Sequence, residues 1–168
     1  MRKRIPKHAA SNTDEHPLQK SLRFKIIRPV YETLTVNDQA AQYQDTHLSS
    51  SRDVARLFDF LGKETREHFW AVHMDSKNLM LCLDQVSTGS LNASNVHPRE
   101  VYKSALLSSA AALLLVHNHP SGDPTPSNED REITMRLKGV SELLEIRLLN
   151  HVAIGTGRHY SFADQGLL

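Results

Sequence analysis

The sequence predicts an α/β domain in which helices pack against a mixed sheet. Residues 68–74 and 80–86 are strand-like runs on either side of Asp75-Ser76-Lys77-Asn78, the pattern of a hairpin. Leu113-Leu114-Leu115-Val116 is a short, wholly apolar run, as expected of a buried strand. Between and around these lie three segments with helical spacing, at 50–60, from Val96 through Leu107, and at 127–144. Hairpin strands interleaved with three helices favour a sandwich-like arrangement with both senses of strand pairing.

In chain order, residues 1–20 form an expected disordered tail. Arg2, Lys3, Arg4 and Lys7 are followed by polar residues and Pro17, with little apolar surface to bury. Residues 21–48 make an N-terminal extension. Within it, 22–36 has the composition of one or two strands, broken or edged at Arg28-Pro29 because proline cannot donate to a ladder. Residues 37–46 are polar, a short helix or a loop. The helix at 50–60 turns Val54, Leu57 and Phe58 inward and carries Asp53 in its first turn, where the helix dipole favours an acid. The second helix opens on Val96-His97-Pro98-Arg99-Glu100, with Pro98 near its start, and runs through Tyr102, Leu106 and Leu107. Pro126 stands where the third begins, and Ile133, Leu137, Val140 and Leu144 form its apolar stripe. Three strands close the chain, at 147–149, 152–154 and 159–162, the last two separated by Gly155-Thr156-Gly157.

Composition bounds the function. Apolar residues make up 39% of the 168, enough for one ordinary core. The net charge of +1 gives no global field for nucleic acid or membrane. The third helix mixes Arg131, Arg136 and Lys138 with Glu129, Glu132 and Glu142, and no aromatic–basic interleaving is present. The single cysteine, Cys82, excludes an intrachain disulfide, suits a reducing compartment, and reads as a small buried hydrophobe. The longest apolar stretch, 105–116, is too short to span a bilayer and contains Ser108 and Ser109. The basic N-terminus lacks a following hydrophobic region. A cytoplasmic protein with no membrane partner is the expectation.

The chemistry concentrates at His117-Asn118-His119 and Asp130. Side chains two apart on a strand point the same way, so His117 and His119 should project together from the end of the 113–116 strand. Asp130 lies three residues before Ile133 on the apolar stripe of the third helix, where an ionised carboxylate is costly unless paired or metal-bound. Two imidazoles and a carboxylate are what a catalytic zinc takes from its protein, leaving a fourth position for water. A structural alternative stands beside this: Ser127 with Asp130 also fits a capping box, with Asp in place of the usual Glu or Gln. The two are compatible. His97 has two readings, near the site or capping the second helix; His68, His73, His151 and His159 read as structural or exposed.

The run from His117 through Pro120-Ser121-Gly122-Asp123-Pro124-Thr125-Pro126-Ser127 to Asp130 resembles the metal signature of the JAB/MPN (JAMM) metallopeptidase superfamily. More closely, it resembles the bacterial RadC family. Gly89-Ser90-Leu91-Asn92-Ala93-Ser94, Val96-His97-Pro98-Arg99-Glu100, Arg66-Glu67-His68-Phe69 and Leu148-Leu149-Asn150-His151 also match RadC, so the resemblance covers residues 49–168. It implies a three-layered, cytidine-deaminase-like α/β fold and Zn2+ held by His117, His119 and Asp130. It further implies an upstream glutamate as general base and Ser127 steadying the oxyanion. Glu67 best matches that glutamate, with Glu64 as fallback and Glu100 a distant third. The implied activity is hydrolysis of an amide, peptide or isopeptide, in a peptide or protein substrate. Two alternatives stay open: a DNA-associated binding or nuclease module, and a zinc-stabilised interaction domain without turnover. Residues 1–48 do not resemble the helix-hairpin-helix-like region that usually precedes the metal domain in RadC proteins, which removes the segment most easily tied to DNA.

Overall fold

The structure, a computed structural model, describes residues 30–32, 48–89 and 96–168. The expected tail, nearly all of the 21–48 extension, and residues 90–95 lie outside the described residues. The order is α1 (Ser51–Leu57), a 3-10 turn (Asp59–Lys63), β1 (His68–Met74), β2 (Met80–Thr88), α2 (Pro98–Leu107), β3 (Ala112–Asn118), α3 (Asn128–Leu144), β4 (Arg147–Ile154) and β5 (His159–Ser161). The strands form one mixed sheet in the order β2-β1-β3-β4-β5. β3 pairs antiparallel with β1 and parallel with β4.

Strand alternation divides the core. On one face Leu113 and Leu115 of β3 pack with Phe69 and Ala71 of β1 against Val101, Tyr102 and Ala105 of α2 and Ile133 and Leu137 of α3. On the other, Leu114 and Val116 join Val72, Met74, Val152 and Ile154 against Val54, Phe58 and Leu61 from α1 and the 3-10 turn. The expected three layers are therefore present, with β3 buried on both sides, as its unbroken apolar run requires. Each fully buried leucine contributes about 2 kcal/mol, which makes β3 the rigid member from which the site projects.

The helices start where local chemistry says they should. Ser50 caps α1 in a full capping box with Asp53, and His97 caps α2 by accepting from the Arg99 amide at 3.2 Å. That settles His97 as a capping residue. α1 is shorter than the expected 50–60 helix: it ends at Leu57 and the chain tightens into the 3-10 turn, still burying Phe58 and Leu61. Cys82 is half-buried and faces a polar neighbour, with its sulfur 3.3 Å from His73 Nδ1.

The strands expected at 147–149 and 152–154 are one strand, β4. Its register slips by a residue: Leu113 pairs with Leu148, whereas Leu114 pairs with Asn150. The extra residue, Leu149, is a β-bulge, and it reverses the in–out phase of everything after it. Asn150 looked like part of a break. Its side chain instead bonds Ser161 at 2.9 Å and accepts from the Ala163 amide at 3.1 Å. His151, opposite Leu115, is thereby turned toward α3.

Candidate metal centre

The structure brings His117, His119 and Asp130 together at the C-terminal end of β3. His117 is the penultimate residue of the strand, fully buried; His119 follows its end; Asp130 is in the first turn of α3 and 5% exposed. His117 Nε2 lies 3.0 Å from His119 Nε2 and 3.3 Å from Asp130 Oδ1, and His119 Nε2 lies 3.3 Å from Asp130 Oδ2. Two ligands each about 2.0–2.1 Å from a tetrahedral zinc are about 3.3 Å apart, so the three residues are spaced to be able to hold such an ion.

The outward bonds decide what each group offers inward. His119 Nδ1 lies 2.7 Å from the Asp123 carbonyl, which can only accept. The ring must therefore carry its proton on Nδ1, leaving the Nε2 lone pair turned inward when the ring is neutral. Asp130 Oδ2 accepts from the Ser127 amide and hydroxyl, both at 2.7 Å. Inward-turned acceptors at this separation repel unless a cation lies among them, and a proton or a metal ion can fill that role. Charge follows the same logic. Burial would raise the Asp130 carboxyl, but the His117 and His119 rings and the Ser127 hydroxyl override it and hold the group well below the usual carboxylate range. The bond to Asp130 raises His119 against the opposing effect of burial, and Glu67 adds a smaller push in the same direction.

The loop from His119 to Ser127 is clamped to the end of β4. The His119 amide donates to the Ile154 carbonyl and the Thr156 amide to the Gly122 carbonyl, both at 2.9 Å. Gly155 makes this possible: a Cβ there would press on the Gly122 carbonyl and stand 2.7 Å from Pro124 Cδ.

Glu67, Ser127 and Asp130 line one open cleft of about 890 Å³, together with Arg66, His119, Asp123 and Glu129. Glu67 stands just before β1, and its carbonyl accepts from the Gly89 amide at 2.9 Å. The fallback glutamates are elsewhere. Glu64 lies 3.7 Å from His68, and Glu100 is held by Lys103 at 2.5 Å on α2; neither lines the cleft. Ser127 caps α3, and its hydroxyl both donates to Asp130 Oδ2 and accepts from the Asp130 amide, so the capping box is real and coexists with the cleft.

Sequence reasoning missed two residues. Asn118 is buried; its Oδ1 accepts from the His68 amide at 2.8 Å and its Nδ2 donates to the Arg66 carbonyl at 2.9 Å, so it grips the backbone on both sides of Glu67. Its position between the two histidines was the available signal. His151, read as structural or exposed, is fully buried with Nε2 2.8 Å from His117 Nδ1. The family-like stretch 148–151 marked the position, but nothing local gave its direction, which the bulge at Leu149 sets.

Comparison with known proteins accords with this geometry. The family model described as a RadC-like JAB domain matches residues 48–167. A UPF0758 protein of Desulforudis audaxviator is 52% identical over 102 residues, 61% of this chain and 44% of the relative. One from Trichlorobacter lovleyi is 50% identical over 118 residues, 68% and 51% of the two chains. One from Methanosarcina mazei is 48% identical over 143 residues, 84% and 62%. The chain spans about half the length of the curated relatives it matches. A family match over more than half of its residues, carried by a three-layered mixed-sheet fold, establishes that the chain belongs to the RadC-like JAB domain family.

Proposed function

We propose that the chain is a zinc-dependent hydrolase of the RadC type, acting on an amide bond, peptide or isopeptide, with zinc held by His117, His119 and Asp130. The observation that carries this reading is the convergence of two imidazole nitrogens and a carboxylate oxygen at 3.0–3.3 Å on the wall of an open cleft. Zinc in such a three-ligand setting brings a water pKa down to about 7 and polarises a carbonyl.

The protein's own residues supply the rest. Glu67, on the cleft wall and braced through its backbone, takes the proton of the attacking water and returns it to the departing nitrogen. The Ser127 hydroxyl hydrogen is committed to Asp130 in this state, so its first duty is to orient that carboxylate. Rotating away, the same hydroxyl reaches a developing carbonyl oxygen. The lining favours an amide over a phosphodiester: Glu67, Asp123 and Glu129 stand on the cleft beside Asp130 with Arg66 as the one arginine among the described lining residues, and a polyanion would meet net repulsion.

Elemental analysis of the purified chain tests the metal. About one zinc per chain is expected from a single three-ligand site, and it is lost in H119A and D130A. E67Q is expected to keep the zinc and lose about 10²–10⁴-fold in turnover of a peptide or isopeptide substrate, the usual weight of general-base help. A parent protein that holds no zinc after gentle purification and zinc add-back would sink the proposal.

A further inference from the structure

His117 makes its outward bond to another imidazole, and that imidazole makes one of its own. His117 Nδ1 lies 2.8 Å from His151 Nε2, His151 Nδ1 lies 2.6 Å from Thr134 Oγ1, and Thr134 Oγ1 lies 2.5 Å from the Asp130 carbonyl. A ring–ring contact alone leaves the direction of the protons undecided. The far end decides it. The Asp130 carbonyl has only lone pairs, so the Thr134 hydroxyl donates to it. Thr134 must then accept from His151 Nδ1–H. The His151 ring is fully buried and its two nitrogens meet only an imidazole and a hydroxyl, with no carboxylate to offset a charge, so the ring is neutral. A neutral ring with its proton on Nδ1 has a lone pair on Nε2, which accepts from His117 Nδ1–H. His117 is left with a bare Nε2, the atom that faces His119 and Asp130.

The setting of His151 keeps the chain of bonds in line. Its ring stacks on Phe162 at 4.9 Å and meets the edge of Phe69 at 5.4 Å, so it has little freedom to turn. The relay also closes on itself. It starts at one proposed ligand, His117, and ends at the main chain of another, Asp130.

We infer that His151 and Thr134 are positioning residues that order the protons along His117–His151–Thr134 and so fix His117 with its Nε2 lone pair toward the ion. This rests on the zinc reading for its purpose, but the proton order is a property of the protein alone.

Long-range proton–nitrogen correlation of the histidine rings in the 168-residue, metal-free chain reads that order directly. The expected result is a protonated Nδ1 and a bare Nε2 for both His117 and His151, the proton among the inward acceptors being carried by His119 Nε2, which lies 3.0 Å from His117 Nε2 and 3.3 Å from Asp130 Oδ2. H151F keeps the aromatic packing and removes both nitrogens; it should leave His117 as a tautomer mixture and weaken zinc binding, read by chelator competition, by about 10–100-fold, the usual cost of a lost outer partner. H151Q, whose amide oxygen can accept from His117 Nδ1, should recover most of that loss, which a merely space-filling role would not. Should H151F fail to fold, T134V tests the same logic: with its acceptor gone, the His151 proton is no longer directed, and the His117 nitrogen signals should move toward the mixed state. Nε2–H on His117 in the parent chain, or His117 signals and zinc affinity unchanged in both H151F and T134V, would overturn the relay. The two proposals fail separately. Predicted tautomers in a chain that binds no zinc would support the relay and end the zinc reading; zinc binding with a reversed tautomer would do the opposite.

Discussion

At the residue scale, Asn118 shows how a spacer can carry a function. It separates the two histidines, yet its buried amide uses one end to accept from the His68 amide and the other to donate to the Arg66 carbonyl. Glu67 sits between those two points. An aspartate has the same shape but no N–H, so it would keep the first bond and set an oxygen against the Arg66 carbonyl. N118D should therefore loosen Glu67 without touching the proposed metal ligands. Displacement of a reacting group by about 1 Å costs on the order of 10²-fold in rate. We expect turnover to fall by about that factor while zinc content stays at the parental level; parallel assays of turnover and bound zinc check it. Loss of zinc in step with activity would mean that Asn118 instead holds the end of β3 in place. His117, His119 and Asp130 were legible from sequence because local rules placed them: two residues apart on a strand, and on the buried stripe of a helix. The partner of His117 was not, because a single bulged residue between Leu148 and Asn150 reverses the strand's phase, and no local composition announces that slip.

At the element scale, what was legible was what periodicity controls. The 68–74 and 80–86 hairpin, the apolar β3 and the stripe of α3 all follow from spacing. The boundaries that moved, at the end of α1 and in the middle of β4, were set by tertiary contacts. The joint between α2 and α3 is another such contact. Tyr102 is buried among apolar side chains, and its hydroxyl donates to the Leu137 carbonyl inside α3 at 2.8 Å. Burial pushes the phenol up to about 12 from its ordinary 10. Between those values the unfolded chain gives up this proton and the folded chain does not, so ionisation favours unfolding. The stabilising contribution of the neutral phenol is whole below pH 10 and drains away as the pH rises toward 12. Y102F should lower stability by about 1 kcal/mol at neutral pH through the lost hydrogen bond. The difference between parent and variant should then shrink across the alkaline range. Denaturant unfolding at neutral pH and at two alkaline values measures this; a constant difference at all three would remove the claim that burial of this hydroxyl couples the two helices.

At the scale of the whole molecule, a zinc ion bound as proposed and the fold would make separable contributions. Two apolar clusters, one on each face of the sheet, extend well beyond the site, which touches the first of them where His117 stacks on Phe69. That distinguishes the chain from small domains that unfold without metal. Chelation should therefore leave a protein that still melts cooperatively, at a lower temperature. The size of the loss follows from linkage: an ion that binds only the folded state at a thousand times its dissociation constant adds about 4 kcal/mol. Bound as proposed, it would tie β3, through His117 and His119, to the start of α3, through Asp130. The thermal midpoint should rise with the logarithm of free zinc in the parent and stay flat in D130A, whose remaining two imidazoles make an incomplete set. Complete loss of structure on chelation would favour the reading of zinc as a fold staple for an interaction domain. A midpoint indifferent to zinc would leave Asp130 as a capping residue bonded to two histidines, and would remove the metal from the account of this cleft.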